Sequence, residues 1–344
     1  VPAAYSADEP YVSCEMMATR APAGVAPTYV GASSSGLVID AALNLLSGNM
    51  DLNVTSSVCF RGKNAASMVF DGQGFFLQMP RASGPFLQVA AKKNVVLKNI
   101  VLKDFSPEHL KLLAAASLVF GDNVYLQLAD SVQPISTSWV FDGIGAVVDG
   151  RGGSLQLSVT DAILVNDAKD VTFKNVRLLG VSSTGTAHRM RCAGPLSKII
   201  LDDSTLMINS FFNVTQGSVT ARNDVIVKGI GSTLAWTSTG TLQLDSFACL
   251  KFDYGTTFSY DAASKTRTNV DFADASSLLY LNNATLYVTR VGLTLSRGSM
   301  YCENIVTLSS EAQTEAEALI LDKSLQAFVP NGSTVEIKGK VVYQ

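Results

Sequence analysis

The sequence predicts an all-β parallel β-helix, a solenoid, and three observations carry that prediction. Short apolar runs separated by Gly, Asp and Asn recur along almost the whole chain. Several of these runs are near-copies: Val69-Phe70-Asp71-Gly72-Gln73-Gly74 is answered by Val140-Phe141-Asp142-Gly143-Ile144-Gly145, and Val95-Val96-Leu97-Lys98-Asn99-Ile100 by Val171-Thr172-Phe173-Lys174-Asn175-Val176. The composition is 47% hydrophobic and 16% charged, against roughly 25% charged in an average globular chain. Ser, Thr, Asn and Gly fill the polar positions, as in β-rich extracellular proteins.

The repeat extends further. Leu118-Val119-Phe120-Gly121-Asp122-Asn123-Val124 resembles Ile199-Ile200-Leu201-Asp202-Asp203-Ser204-Thr205, so one long block occurs twice in the same order. Weaker echoes follow at Leu279–Leu286 and Leu319–Leu325. Self-similarity of this kind signals a repeat architecture. Strand, Asn/Asp/Gly corner, strand, at about twenty residues per turn, fits coils stacked in parallel. Inward side chains then form apolar columns, and corner Asn residues ladder through their amides. Gly72, Gly74, Gly143 and Gly145 supply corner conformations closed to other residues. A β-sandwich or propeller is the competing architecture, but Asn-Gly hairpin signals are nearly absent.

In chain order, residues 1–35 are rich in Ala, Pro and Ser and read as an extended arm, either packed along its own body or adding to a neighbour's sheet. Residues 36–344 form the β-helix. Within it, residues 36–48 (GLVIDAALNLLSG) are the best candidate for a capping helix, with Leu37, Val38, Ala41, Leu45 and Leu46 near one face and Gly48 as the stop. Strands dominate from Met50 onwards. Ser106 and Pro107 open a possible helical insertion through Ala116, and residues 310–318 offer another turn. The chain ends on Val335-Glu336-Ile337-Lys338-Gly339-Lys340-Val341-Val342-Tyr343, strand-like and followed by no amphipathic cap. Such an edge either is protected by its charges or receives another molecule.

The V-F-D-G-x-G corners and the strands ending in Lys98-Asn99 and Lys174-Asn175 resemble the right-handed parallel β-helix superfamily, the pectin-lyase-like solenoids. The pattern is most similar to secreted bacterial surface and adhesin-type coils, over residues 60–344 or so. The resemblance implies a right-handed coil; it bears on fold more than on function.

Some members of that superfamily cleave polysaccharides. Hydrolases of this type use clustered Asp residues as acid and base. Asp202-Asp203 is the one adjacent Asp pair and supplies the alternative catalytic candidates. Neither His109 nor His188 lies in a Gly-His-Gly, and Arg61-Gly62-Lys63 precedes the Asp pair instead of following it. Lyase relatives hold Ca²⁺ on several carboxylates; Asp142, Asp149, Asp167 and Asp170 would serve, though Asp at a corner more often satisfies its own backbone. No G-x-S-x-G, P-loop or H-E-x-x-H occurs. No cofactor and no metal site are expected, since Cys14, Cys59, Cys192, Cys249 and Cys302 are widely spaced with no His nearby. The four N-x-[ST] sequons, at Asn53, Asn213, Asn283 and Asn331, are no more than a chain so rich in Asn, Ser and Thr yields by chance.

A net charge of -3 without a basic stripe speaks against nucleic acid. No apolar run is long enough to span a membrane as a helix. Starting at Val1 fits a secreted protein whose leader has been removed, and so an extracellular or cell-surface location. The expectation is therefore a non-enzymatic extracellular subunit that stacks head-to-tail on copies of itself as a fibre or surface layer. The contact residues would be Val1, Tyr5, Tyr11, Tyr29 and Val30 of the arm, and Val335, Ile337, Val341 and Tyr343 of the last strand. Polysaccharide binding or cleavage, or adhesion to surface glycans through aromatic rows involving Tyr125, Tyr280 and Tyr287, is the alternative.

Overall fold

The computed structural model describes residues 32–33, 36–54, 57–63, 65–262 and 269–344. The fold is an all-β parallel β-solenoid of the right-handed type with about 12 turns in all. It falls into two compact units, Val1–Gly153 and Ser154–Gln344.

In the first unit each full turn contributes three strands, one to each of three parallel stacks. Gly36–Ile39, Val58–Phe60, Leu87–Val89 and Leu110–Leu112 form one stack. Leu43–Leu45, Ser67–Asp71, Asn94–Lys98, Ser117–Phe120 and Trp139–Phe141 form the second, and Met50–Asp51, Phe76–Gln78, Ile100–Phe105, Val124–Leu128 and Ala146–Asp149 the third. Successive strand residues point to opposite faces, so every second side chain is buried. Phe70, Leu97, Phe120 and Phe141 stand in register as one inward column. All four are at most 1% exposed, and the Phe120 and Phe141 rings lie 5.3 Å apart. The two members of the sequence repeat, Phe70 and Phe141, thus occupy equivalent places in different turns.

The second unit repeats the principle with longer strands. Lys198–Ile208 and Ser218–Lys228 each run through a corner, at Asp203 (φ 47°) and Asn223 (φ 50°). Phe211–Val214, Thr233–Trp236, Thr257–Tyr260, Thr285–Val288, Ile305–Ser310 and Thr334–Gly339 stack in that order. Leu293–Leu295, Leu319–Leu321 and Val341–Tyr343 form a further stack. The echo at Leu319–Leu325 therefore belongs to a different stack from Leu278–Asn282, the strand that carries the Leu279 echo.

The expected corner chemistry is present. In the first unit the Asn99 amide donates to Asp71 Oδ1 (3.1 Å) and the Asn123 amide to Asn99 Oδ1 (3.0 Å). In the second, Asn282 donates to Asp253 Oδ1 (2.6 Å) and Asn304 to Asn282 Oδ1 (2.7 Å). Asn99, Asn123, Asn175 and Asn283 all take left-handed φ values of 46–55°, which Asn tolerates better than most residues. The glycines serve for two separate reasons. Gly145 has φ 75°, whereas a Cβ at Gly143 would lie 2.0 Å from the backbone carbon of Gly121 on the neighbouring turn.

Two expectations need correction. Residues 36–48 are not a helix: Gly36–Ile39 and Leu43–Leu45 are strands. Ile39 lies beside Phe60 and Leu43 beside Val69 on an apolar next turn. A helix of this length is marginal by itself, and the ladder outcompetes it. The insertion at Ser106 begins as expected, with Pro107 in the first position, but stops after the single 3₁₀ turn Pro107–His109. Leu110–Leu112 then joins Leu87–Val89 as a strand. Within residues 310–318, where another turn was expected, the 3₁₀ turn Glu315–Glu317 is present.

Candidate functional site

The last described turn differs from the one before it in what covers its interior. Val306 and Leu308 point inward and are 0% and 2% exposed. Their register partners one turn on are Val335 and Ile337. Ile337 is 63% exposed, although it occupies the same inward column. Leu321 is matched by Tyr343, which is 71% exposed, while Phe328, 49% exposed, continues the outward column of Tyr301. No strand among the described residues pairs with the outer edge of Thr334–Gly339.

Backbone polarity at this edge follows from one bond. The Thr334 N–H donates back to the Asn304 carbonyl at 2.7 Å. Residues of a parallel strand alternate in the side to which their N–H and C=O point. Thr334, Glu336 and Lys338 therefore face the preceding turn, and Val335, Ile337 and Gly339 present their backbone groups outward. Of the expected contact residues, Val335, Ile337, Val341 and Tyr343 are thus brought together on one rung. Phe328 and Val329, the latter 51% exposed, join them unforeseen; their signal was an apolar pair directly before the Pro330-Asn331-Gly332 turn. Val1, Tyr5, Tyr11, Tyr29 and Val30 lie outside the described residues.

A second feature, in the first unit, was not legible in the sequence. A cavity of about 380 Å³ opens between the Pro80–Ser83 loop, the 3₁₀ turn and the Ala129–Gln133 loop. Three buried polar side chains, Asp104, Ser106 and His109, form part of its wall. Asp104 accepts hydrogen bonds from Gln78 (3.0 Å), Arg81 (2.9 Å) and Arg151 (3.0 Å). His109 Nδ1 accepts from the Ser106 N–H at 3.2 Å, and Nε2 lies 3.3 Å from the Ala82 carbonyl. That pattern fits the neutral tautomer with its proton on Nε2. Burial lowers the His109 pKa, its largest cause, and keeps the ring neutral. No motif joins Arg81, Asp104 and Arg151; only the coil brings them together.

The alternative catalytic pair sits at a corner. Asp202 Oδ1 accepts the Asn223 amide at 2.6 Å, and Asp203 Oδ1 accepts the Asp224 N–H at 3.2 Å. Asp149 accepts the Tyr125 hydroxyl (2.6 Å) and the Arg151 N–H (2.9 Å), and Asp167 accepts the Leu196 N–H (3.0 Å). Each carboxylate thus has a local structural partner. Tyr280 and Tyr287 donate to Glu303 and Glu311, and Lys251 sits over the Tyr280 ring. Ser183 and His188 face each other in a short antiparallel hairpin of the second unit, 2.7 Å between Oγ and Nδ1, both buried.

Burial pushes the Cys192 thiol up to about 12 and the Cys302 thiol up to about 11; the Cys249 thiol, also at about 11, is raised by burial first and by Asp224 second. None of these three is a thiolate near neutral pH. Among the described residues no group of His, Cys, Asp and Glu is arranged to hold a metal ion. No helix among them is long and apolar enough to cross a membrane. No family model matches this chain, and neither do the curated proteins or the solved structures.

Proposed function

We propose that this protein is a non-enzymatic, extracellular structural subunit that associates with copies of itself through its last rung. The observation that carries this reading is the exposure of Ile337, at 63%, in a column whose previous member, Leu308, is 2% exposed. Inside the solenoid each rung buries the apolar residues of its neighbour. The last rung has the same residue types and lacks that cover. Burying such side chains stabilises by about 1.5–3 kcal/mol each, so a second copy offering a comparable rung would gain much of this.

The low charge of the chain, 16% of residues, supports an extracellular assembly. A head-to-tail fibre would join this rung to the arm of the next copy. Sedimentation velocity of the full chain, from about 1 µM to about 100 µM, tests it. The wild-type protein should show species heavier than the monomer. An Ile337→Lys variant, at a position 63% exposed, should remain monomeric, with circular dichroism confirming that it is folded. Wild-type protein that stays monomeric throughout would refute the proposal.

A further inference from the structure

The open edge carries information about how a second copy would meet it. Resting on the proposal above, we infer that two copies pair edge to edge in antiparallel fashion, Thr334–Gly339 against Thr334–Gly339, about a two-fold axis through Ile337.

Three observations lead to this register. The first is backbone polarity: Val335, Ile337 and Gly339 direct their N–H and C=O groups to the open side, as the Thr334–Asn304 bond requires. An antiparallel pair exchanges two hydrogen bonds between residues that both point across the gap. Ile337 opposite Ile337 meets that condition, and so does Val335 opposite Gly339.

The second is charge. In this register Glu336 of each copy stands opposite Lys338 of the other, at a pair that exchanges no backbone hydrogen bonds. In such pairs the Cα atoms are only about 4.5 Å apart and the side chains are closest. Glu336 and Lys338 occupy the outward columns of Thr307 and Ser309, and Glu336 Oε2 accepts from the Thr307 hydroxyl at 3.5 Å. Within one strand they already approach each other, with Lys338 Nζ 3.3 Å from Glu336 Oε2. Pairing would join the two ion pairs into a network of four charges. A head-to-tail contact sets this edge against a different strand and does not bring Glu336 to Lys338.

The third is the contrast with the rest of the same outer face. In the outward columns of that sheet, Thr233, Thr257, Thr285 and Thr307 are followed by Glu336, and Ala235, Ser259, Tyr287 and Ser309 by Lys338. Uncharged residues fill these places until the open rung, where one of each sign appears. Charges on an edge strand usually discourage pairing. Here their alternation about Ile337 makes the edge complementary to itself, which is the requirement of an isologous two-fold contact. Gly339, at φ 74°, marks where the strand turns away and limits the paired segment.

Charge reversal tests the register. Dissociation constants would be measured by sedimentation equilibrium on the full chain for the wild type, E336K, K338E, an equimolar mixture of the two, and the E336K/K338E double variant. Each single variant places like charges opposite each other twice and should weaken the dimer at least about tenfold. The mixture and the double variant restore opposite signs and should return to near wild-type affinity. Both positions of the test are exposed, so the melting temperature serves as the check on folding. Four results overturn the inference. Assembly untouched by the single reversals, or continuing beyond the dimer, removes the two-fold register and leaves self-association standing. Single variants that weaken without rescue in the mixture also remove it. A wild type that is monomeric at every concentration removes both proposals.

Discussion

Ile305–Ser310 and Thr334–Gly339 are adjacent strands of one stack, with like inward residues and opposite environments. Val306 and Leu308 are covered; Ile337, one rung on, is 63% exposed. The difference teaches that burial in this fold is conferred by the next rung rather than by the residue's own strand. A solenoid turn cannot bury its apolar face alone. An exposed Ile in an inward column is therefore an unfinished stack, in contrast to the isolated surface apolar residues that any protein carries.

The comparison is broken most directly by truncating both members. Leu308→Ala should destabilise the fold by about 2–5 kcal/mol, because it opens a cavity beneath a rung. Ile337→Ala, measured where the protein is monomeric, should cost less than about 1 kcal/mol. Urea unfolding of the two variants would check this; equal losses would mean that the last rung is already covered.

Rung spacing itself is probed at Gly143. The Gly143→Ala Cβ would meet the Gly121 backbone at 2.0 Å, and the turns would have to part. A loss of about 1–3 kcal/mol is expected, larger than for Gly145→Ala, where the nearest atom is Asn123 Oδ1 at 3.1 Å and the penalty comes from the left-handed backbone. Thermal unfolding ranks the two, and the reverse order would place the constraint in the corner conformation instead of the stacking distance.

The corner ladders should contribute less. Asn304→Ala removes the donor to the buried Asn282 Oδ1 and should cost about 1 kcal/mol.

The smallest effect concerns His109. Its folded-state pKa is depressed below the ordinary value of 6.5, chiefly by burial. The unfolded chain therefore binds the proton more readily. The contribution to stability is present above about pH 6.5 and is lost as pH falls from there towards the depressed pKa. Unfolding free energies measured from pH 7.5 down to pH 5 should fall more steeply for the wild type than for His109→Gln. Parallel slopes would mean that the ring is not held neutral.

The fold was legible because its signals are local and repeated. The copied Val-Phe-Asp-Gly corners and the Lys-Asn strand ends report the stacking directly, and Phe70 and Phe141 do share one column. Residues 36–48 were misread because helix periodicity and a pair of short strands look alike over one or two turns of chain. Only the apolar strands Val58–Phe60 and Ser67–Asp71 decide between them. The Ser106 helix start was right and its length wrong, since register with Leu87–Val89 captures Leu110–Leu112. At the candidate site, Val335, Ile337, Val341 and Tyr343 were visible as an uncapped apolar end. The Arg81–Asp104–Arg151 cluster was invisible, because one residue per turn meets there and no sequence window holds two of them.

The central claim is that the outer edge of Thr334–Gly339 receives a strand from a second copy. Hydrogen–deuterium exchange of the Ile337 amide, followed as a function of protein concentration, tests it at the bond itself. Exchange should be fast in dilute protein and strongly slowed once association is complete, with the Leu308 amide protected at both extremes. Ile337 exchange that is fast and independent of concentration would contradict it.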